Sequence, residues 1–173
     1  TASEEATPAT GSDALSSASL AGVEIVDGAV SYADQRDDSR TVLREINVTT
    51  GAFASGKPFD LASGFVYQQT GGLEVRTELA ATVTADLESN QYVVDAAGIK
   101  ATLLGEGYPE GGLPVTVALA KASLDVDNKR HVLTDLKIDL VYRGEGLPAD
   151  GVPVAVRVAS LQADLGKQTL ALT

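Results

Sequence analysis

The second half of the chain repeats itself. Gly105-Glu106-Gly107-Tyr108-Pro109 leads to Gly112-Leu113-Pro114-Val115-Thr116-Val117, and the same order returns 39 residues later as Gly144-Glu145-Gly146-Leu147-Pro148 leading to Gly151-Val152-Pro153-Val154-Ala155-Val156. Asp86, Asp125 and Asp164 keep this spacing, as do Thr134 and Thr173. A period of this size means one supersecondary unit per repeat, and such units bury their apolar surface against neighbours of the same kind. The expectation is one β-repeat domain over 20–173, with units near 82–120 and 121–159 and an incomplete unit at 160–173, belonging to something longer.

The hydrophobic period within each unit is two. Leu73, Val75, Thr77, Leu79, Ala81, Val83, Ala85 and Leu87 share one parity, while Glu74, Arg76, Glu78, Thr82, Thr84 and Asp86 take the other, as in a strand with one dry and one wet side. Ala97, Ile99, Ala101 and Leu103 continue the pattern after a polar turn at Glu88-Ser89-Asn90, and Leu136, Ile138, Leu140 and Tyr142 repeat it. In the following strand of each unit the parity flips, near Ala120-Lys121 and again near Ala159-Ser160. An extra residue at the same place twice predicts a β-bulge, which bends a strand and increases its twist. Further strands are expected over 23–32, with a break at Asp27-Gly28, and over 42–49 and 59–68. The predicted fold is all-β: a long antiparallel meander forming a curved, groove-like sheet, half-pipe or sandwich-like, with one apolar face.

Residues 1–19 are mostly Ala, Ser, Thr and Glu and read as a flexible linker, with at most a short helical turn over 13–20. The net charge of −11 disfavours nucleic acid and anionic headgroups as partners, because both are bound by clustered Lys and Arg. With no cysteine there are no disulfides, no thiolate chemistry and none of the commonest zinc sites.

Candidate chemistry is sparse, and the chain reads as a non-enzyme with no cofactor and no metal. His131 is the only histidine and lies beside a polar hairpin, so it reads as a strand-edge residue. Gly105-x-Gly107 and Gly144-x-Gly146 resemble the opening of a dinucleotide fingerprint, but proline and alternating valines follow where a helix is required. Asp34, Asp37 and Asp38, and separately Asp125-x-Asp127-Asn128, fall short of a calcium loop and read as solvated tips. Glu106 and Glu145 recur with the fold, as turn residues do, and the Asn47-Val48-Thr49 sequon is too short to weigh.

Leu20–Asp34 (LAGVEIVDGAVSYAD), Leu43–Gly51 (LREINVTTG) and Gly56–Leu61 (GKPFDL), in this order and spacing, resemble the periplasmic region of AsmA-family proteins, which include TamB-like and YhdP-like relatives. The GEGLP-type repeat extends the similarity toward Thr173. The resemblance implies a periplasmic segment, tethered to the inner membrane in the full-length protein and involved in outer-membrane biogenesis and lipid homeostasis. Its partners would be phospholipid or another acyl-chain lipid, with outer-membrane assembly components as further candidates.

The apolar stripe must be covered by something, since fully burying one Val or Leu side chain is worth about 1.5–3 kcal/mol. Two readings stand. In the first, the stripe is a lipid-binding groove lined by Val75, Leu79, Val83, Ile99, Leu103, Val117, Leu119, Leu136, Ile138, Leu140, Val154, Val156 and Val158. In the second, it is the core of a closed β-sandwich that serves as a structural or docking module.

Overall fold

The computed structural model describes residues 19–34, 36, 39–144 and 146–173. The expected linker and helical turn fall largely on residues outside this set, as do Asp37, Asp38 and Glu145, whereas Ser19–Leu20 form a short strand. In chain order the elements are β1 (Ser19–Leu20), β2 (Glu24–Asp34), β3 (Ser39–Thr50), β4 (Phe53–Ala54), β5 (Pro58–Gln69), β6 (Glu74–Asp86), β7 (Gln91–Leu104), β8 (Leu113–Asp125), β9 (Arg130–Tyr142), β10 (Val152–Asp164) and β11 (Thr169–Leu172).

Among the described residues nine strands form one antiparallel sheet in the order β11-β10-β9-β8-β7-β6-β5-β3-β2, a meander not closed into a barrel. At about 3.3 Å per residue the 13 residues of β6 span about 43 Å. β1 and β4 make a separate two-stranded ladder, and the Phe53 ring stands edge-on to Phe59 of β5 at 5.6 Å. The strands form this one large sheet rather than two facing sheets, so the closed sandwich is not observed among the described residues.

The repeated residues are the ones that turn the chain. Asp86 Oδ1 accepts from the N–H groups of Glu88 and Ser89 at 3.0 and 3.2 Å; Asp125 Oδ1 accepts from Asn128 N–H at 3.0 Å, and Asp164 Oδ1 from Lys167 N–H at 2.9 Å. A short carboxylate that accepts from amides just ahead of it is the Asx-turn device. Each turn then closes through a left-handed residue: Asn90, Lys129 and Gln168 have φ of 49°, 55° and 53°. The turns are also stitched sideways, Val126 N–H donating to the Asn90 carbonyl at 3.2 Å and Leu165 N–H to the Lys129 carbonyl at 2.9 Å. At the opposite end, Gly112 N–H donates to the Pro109 carbonyl and Gly151 N–H to that of Pro148, both at 2.8 Å. Pro109–Gly112 and Pro148–Gly151 therefore make equivalent turns between β7 and β8 and between β9 and β10.

The parity flips of β7 to β10 are matched across neighbouring strands. Leu119 pairs with Leu136 and Lys121 with Thr134, so the flip at Ala120 is matched by one at Asp135, and no offset arises between β8 and β9. Ala159 flips against the same Asp135 from the other side, since Val158 pairs with Leu136 and Ser160 with Thr134. Ala96 does the same for β7. The register shifts sit where a flipping strand meets one that does not flip: between β6 and β7 after Ala80, and between β3 and β5 after Arg44, with further shifts between β2 and β3. Asp27, Glu45, Ala96 and Asp135 have φ between 51° and 54° at or beside these points. A strand absorbs an unmatched residue most directly by placing one residue in the left-handed region.

The core is thin. Among the described residues only Val66, Ala85, Leu113 and Ala122 are buried, at 5–9 % exposure, and no side chain is fully buried.

Candidate functional site

Directly opposed residues of an antiparallel sheet lie on the same face, so the register shows which side chains meet. Val48, Ser63, Leu79, Ile99, Val117, Ile138 and Val156 are successive partners across seven strands. Two residues to one side run Phe65, Thr77, Ala101, Val115, Leu140 and Val154, and beyond them Val30, Leu43, Tyr67, Val75, Leu103 and Leu113. On the other side, past the flips, Phe59, Val83, Val94, Ala122, Leu133, Leu161 and Leu172 form a further row. The ladder Ala97, Leu119, Leu136 and Val158 fills the space between.

All thirteen residues of the expected lipid-binding set belong to these rows. The rows also contain residues that the set omitted, notably Phe65, Tyr67, Val94, Leu113, Val115, Leu133 and Leu161. Alternation was the available signal for Val115, which shares parity with Val117. For Val94, Leu133 and Leu161 the signal was the parity flip itself, which carries the dry side from odd to even positions in β7 and from even to odd in β9 and β10.

Most row members are partly exposed, and exposure rises toward the open edge: 43 % at Val154, 45 % at Val156 and 63 % at Leu172. The last strands lack a neighbour on one side, so their side chains are covered from one flank only.

His131 pairs with Leu124 and Ala163, placing it in the continuation of the same side, in line with Tyr92 and Leu170. Its Nδ1 is buried without a hydrogen-bond partner. The imidazole thus occupies a position that the other two repeats give to Tyr and Leu.

Residues of the opposite parity include a polar cluster around Glu74, in rows shared with Val42, Val66 and Leu104. Glu74 accepts from Gln68 Nε2 at 2.7 Å, from Arg76 Nε at 2.7 Å and from Arg44 at 3.1 Å. Its side chain is 16 % exposed, and the Arg76 hydrogen bond is the main reason its carboxyl lies below its ordinary value. Lower down, Asn47, Gly64, Glu78, Lys100 and Thr116 form one row, and Thr49, Ala62, Ala80, Gly98 and Ala118 the next. The small residues among them leave a shallow depression of about 510 Å³, bordered also by Leu79, Ile99 and Val117. This depression sits among residues of the opposite parity from the expected set, and its shape comes from small side chains rather than from a built pocket.

The three turn aspartates are occupied structurally. Hydrogen bonds from Ser89 hold the Asp86 carboxyl low, those from Asn128 hold Asp125 low, and that from the Lys167 N–H holds Asp164 low. Asp127 accepts from Asn90 Nδ2 at 3.1 Å. Among the described residues no three His, Cys, Asp or Glu side chains converge to hold a metal ion, and no helix is long and apolar enough to cross a membrane. Comparison of the chain with protein-family models, with curated proteins and with solved structures finds no match.

Proposed function

We propose that the nine-stranded sheet curves into a groove whose inner side is the set of apolar rows, and that this groove holds or conducts acyl chains of phospholipid. The observation that carries this reading is the alignment of apolar side chains across as many as seven strands, from Phe59 to Leu172, with no second layer over them among the described residues. Curvature is supported by the register shifts on both flanks of β5 and β6 and by the left-handed residues Asp27, Glu45, Ala96 and Asp135, since bulges bend and twist the strands that contain them. Acyl chains would enter by burial alone, and the rows offer few polar groups to discriminate one chain from another.

In keeping with the resemblance of residues 20–70 to the AsmA family, the chain would be a periplasmic segment of an inner-membrane-anchored protein acting in outer-membrane biogenesis. No catalysis, cofactor or metal enters this reading. Native mass spectrometry after detergent-free purification tests it: phospholipid or fatty-acid adducts on the folded chain are the expected result, and a bare chain that also fails to take up lipid from vesicles refutes it.

A second reading, a non-enzymatic docking module that assists outer-membrane protein assembly, is favoured by one observation. Among the described residues β2 has no neighbour on its outer side, and an open edge can accept a partner strand.

A further inference from the structure

One row of the dry side carries polar groups that nothing in the protein satisfies. Tyr92 pairs with Leu124 and Leu124 with His131, so the phenol and the imidazole stand in one row on either side of Leu124, one residue in from the turn ends of β7 and β9. The three strands lie inside the sheet here: Tyr92 pairs on its other flank with Ala85 of β6, and His131 with Ala163 of β10. Both side chains are half-buried. Among the described residues neither Tyr92 Oη nor His131 Nε2 has a hydrogen-bond partner, and both atoms remain accessible. Tyr67, the other half-buried tyrosine of the apolar rows, instead donates to Gln69 Oε1 at 3.1 Å.

The buried His131 Nδ1 has no acceptor beside it. An N–H there would lose its hydrogen bond outright, so the neutral ring carries its proton on Nε2, where water or a ligand can accept it. The row therefore presents two uncharged donors, Tyr92 O–H and His131 Nε2–H, to whatever lies in the groove. Uncharged donors without a clustered cation suit carbonyl oxygens rather than phosphate, in keeping with the net charge of −11. Two strand spacings set the two Cα atoms about 10 Å apart. With each polar tip above its own Cα, two hydrogen bonds of about 2.8 Å leave roughly 4–5 Å between the oxygens that accept them.

Two carbonyl oxygens that close together on one apolar molecule are the ester pair of a diacyl glycerolipid. We propose that Tyr92 and His131 donate to the two ester carbonyls of such a lipid, so that the groove holds ester-linked lipids in preference to ether-linked ones. A fatty acid, with one carboxyl group, would leave a donor unmet or place a charge on the dry side. The lipid then lies with its headgroup beyond the Asp125 turn, in water, and its acyl chains along the strands over Ala122, Leu133 and their neighbours. This inference rests on the groove reading and adds to it the chemistry of the lipid's polar end.

Diester and diether phosphatidylcholines with the same chains and headgroup differ only in the two carbonyl groups. Displacement of Nile red from the whole chain by each lipid gives the two affinities. The diester is expected to bind about 30-fold more tightly, about fivefold from each hydrogen bond. Tyr92→Phe and His131→Leu should each reduce the preference about fivefold, and the double variant should abolish it, with the diether affinity little changed. The chain has a single histidine, so its nitrogen NMR spectrum reports this site alone: the Nε2 resonance should move on adding the diester and stay in place with the diether. Equal affinity for the two lipids, a preference that survives the double variant, or an Nε2 resonance that the diester leaves unmoved overturns the proposal while the groove stands. Failure to bind either lipid overturns both.

Discussion

Val117 occupies the middle of the five-strand aliphatic run from Leu79 to Val156, flanked by Ile99 and Ile138. Replacing it with Asp should cost the lipid-free fold about 1–2 kcal/mol, since the side chain is only partly buried between its neighbours. A bound acyl chain, however, would have to lie over a carboxylate. The least costly response is protonation, and at pH 7.4 neutralising a carboxyl of ordinary pKa near 3.9 costs about 5 kcal/mol. Loss of the valine contact adds about 1.5 kcal/mol. Lipid affinity should therefore fall by three or more orders of magnitude, about tenfold per 1.4 kcal/mol. The penalty is itself pH-dependent: at pH 5.5, still clear of the isoelectric point near 4.4, protonation costs only about 2 kcal/mol and roughly two orders of magnitude return. Thr116→Asp is the matched control, one residue away on the opposite side of the same strand. The assay is fluorescent fatty-acid or phospholipid binding at the two pH values, with native mass spectrometry of the purified variants. If Val117→Asp holds lipid at the level of the unaltered chain, or Thr116→Asp loses as much, the assignment of the dry side is wrong.

Three further outcomes follow from the same structure. His131→Leu should raise stability by about 1 kcal/mol in urea melts, because it removes a buried, unpartnered Nδ1 from an apolar row. Gly112→Ala should cost at least about 2 kcal/mol, combining a positive φ with a Cβ placed 2.7 Å from Thr102 Cγ2, whereas Gly111→Ala, where nothing lies within 4 Å, should cost only about 1 kcal/mol from its φ. Glu74, Asp86, Asp125 and Asp164 all have carboxyls held below their ordinary values of 4.5 for Glu and 3.8 for Asp. The folded state therefore binds fewer protons than the unfolded one near pH 4, so this stability is complete above those values and is lost as pH falls through the lowered ones. The urea midpoint should drop between pH 5 and 3, and Glu74→Gln should make the drop shallower.

Much of the architecture was legible in the residues. Alternation placed β3, β5, β6 and their successors to within a few positions, and the 39-residue spacing of Asp86, Asp125 and Asp164 marked three equivalent turns. The flips at Ala120 and Ala159 were visible too, but their meaning was not. Read in single strands they looked like extra residues; set beside Ala96 and Asp135 they prove to be a feature shared by β7 through β10, and the true offsets lie next to β5 and β6. The two-residue ladder of β1 and β4 left no periodic trace, being too short to show one.

Period-two patterning settled which side chains share a side of each strand, because successive Cβ atoms point in opposite directions whatever the neighbours do. It also settled that the elements are strands and where polar turns end them. Which residue stands opposite which is a long-range matter, set by turn lengths and by where one bulged strand meets a straight one, so only the assembled sheet joins Leu79 to Ile99 and on to Val117 and Ile138. The same holds for the absence of a second layer among the described residues: burial depends on what else packs against a surface, and a strand that expects a dry face reads the same whether protein or lipid lies against it.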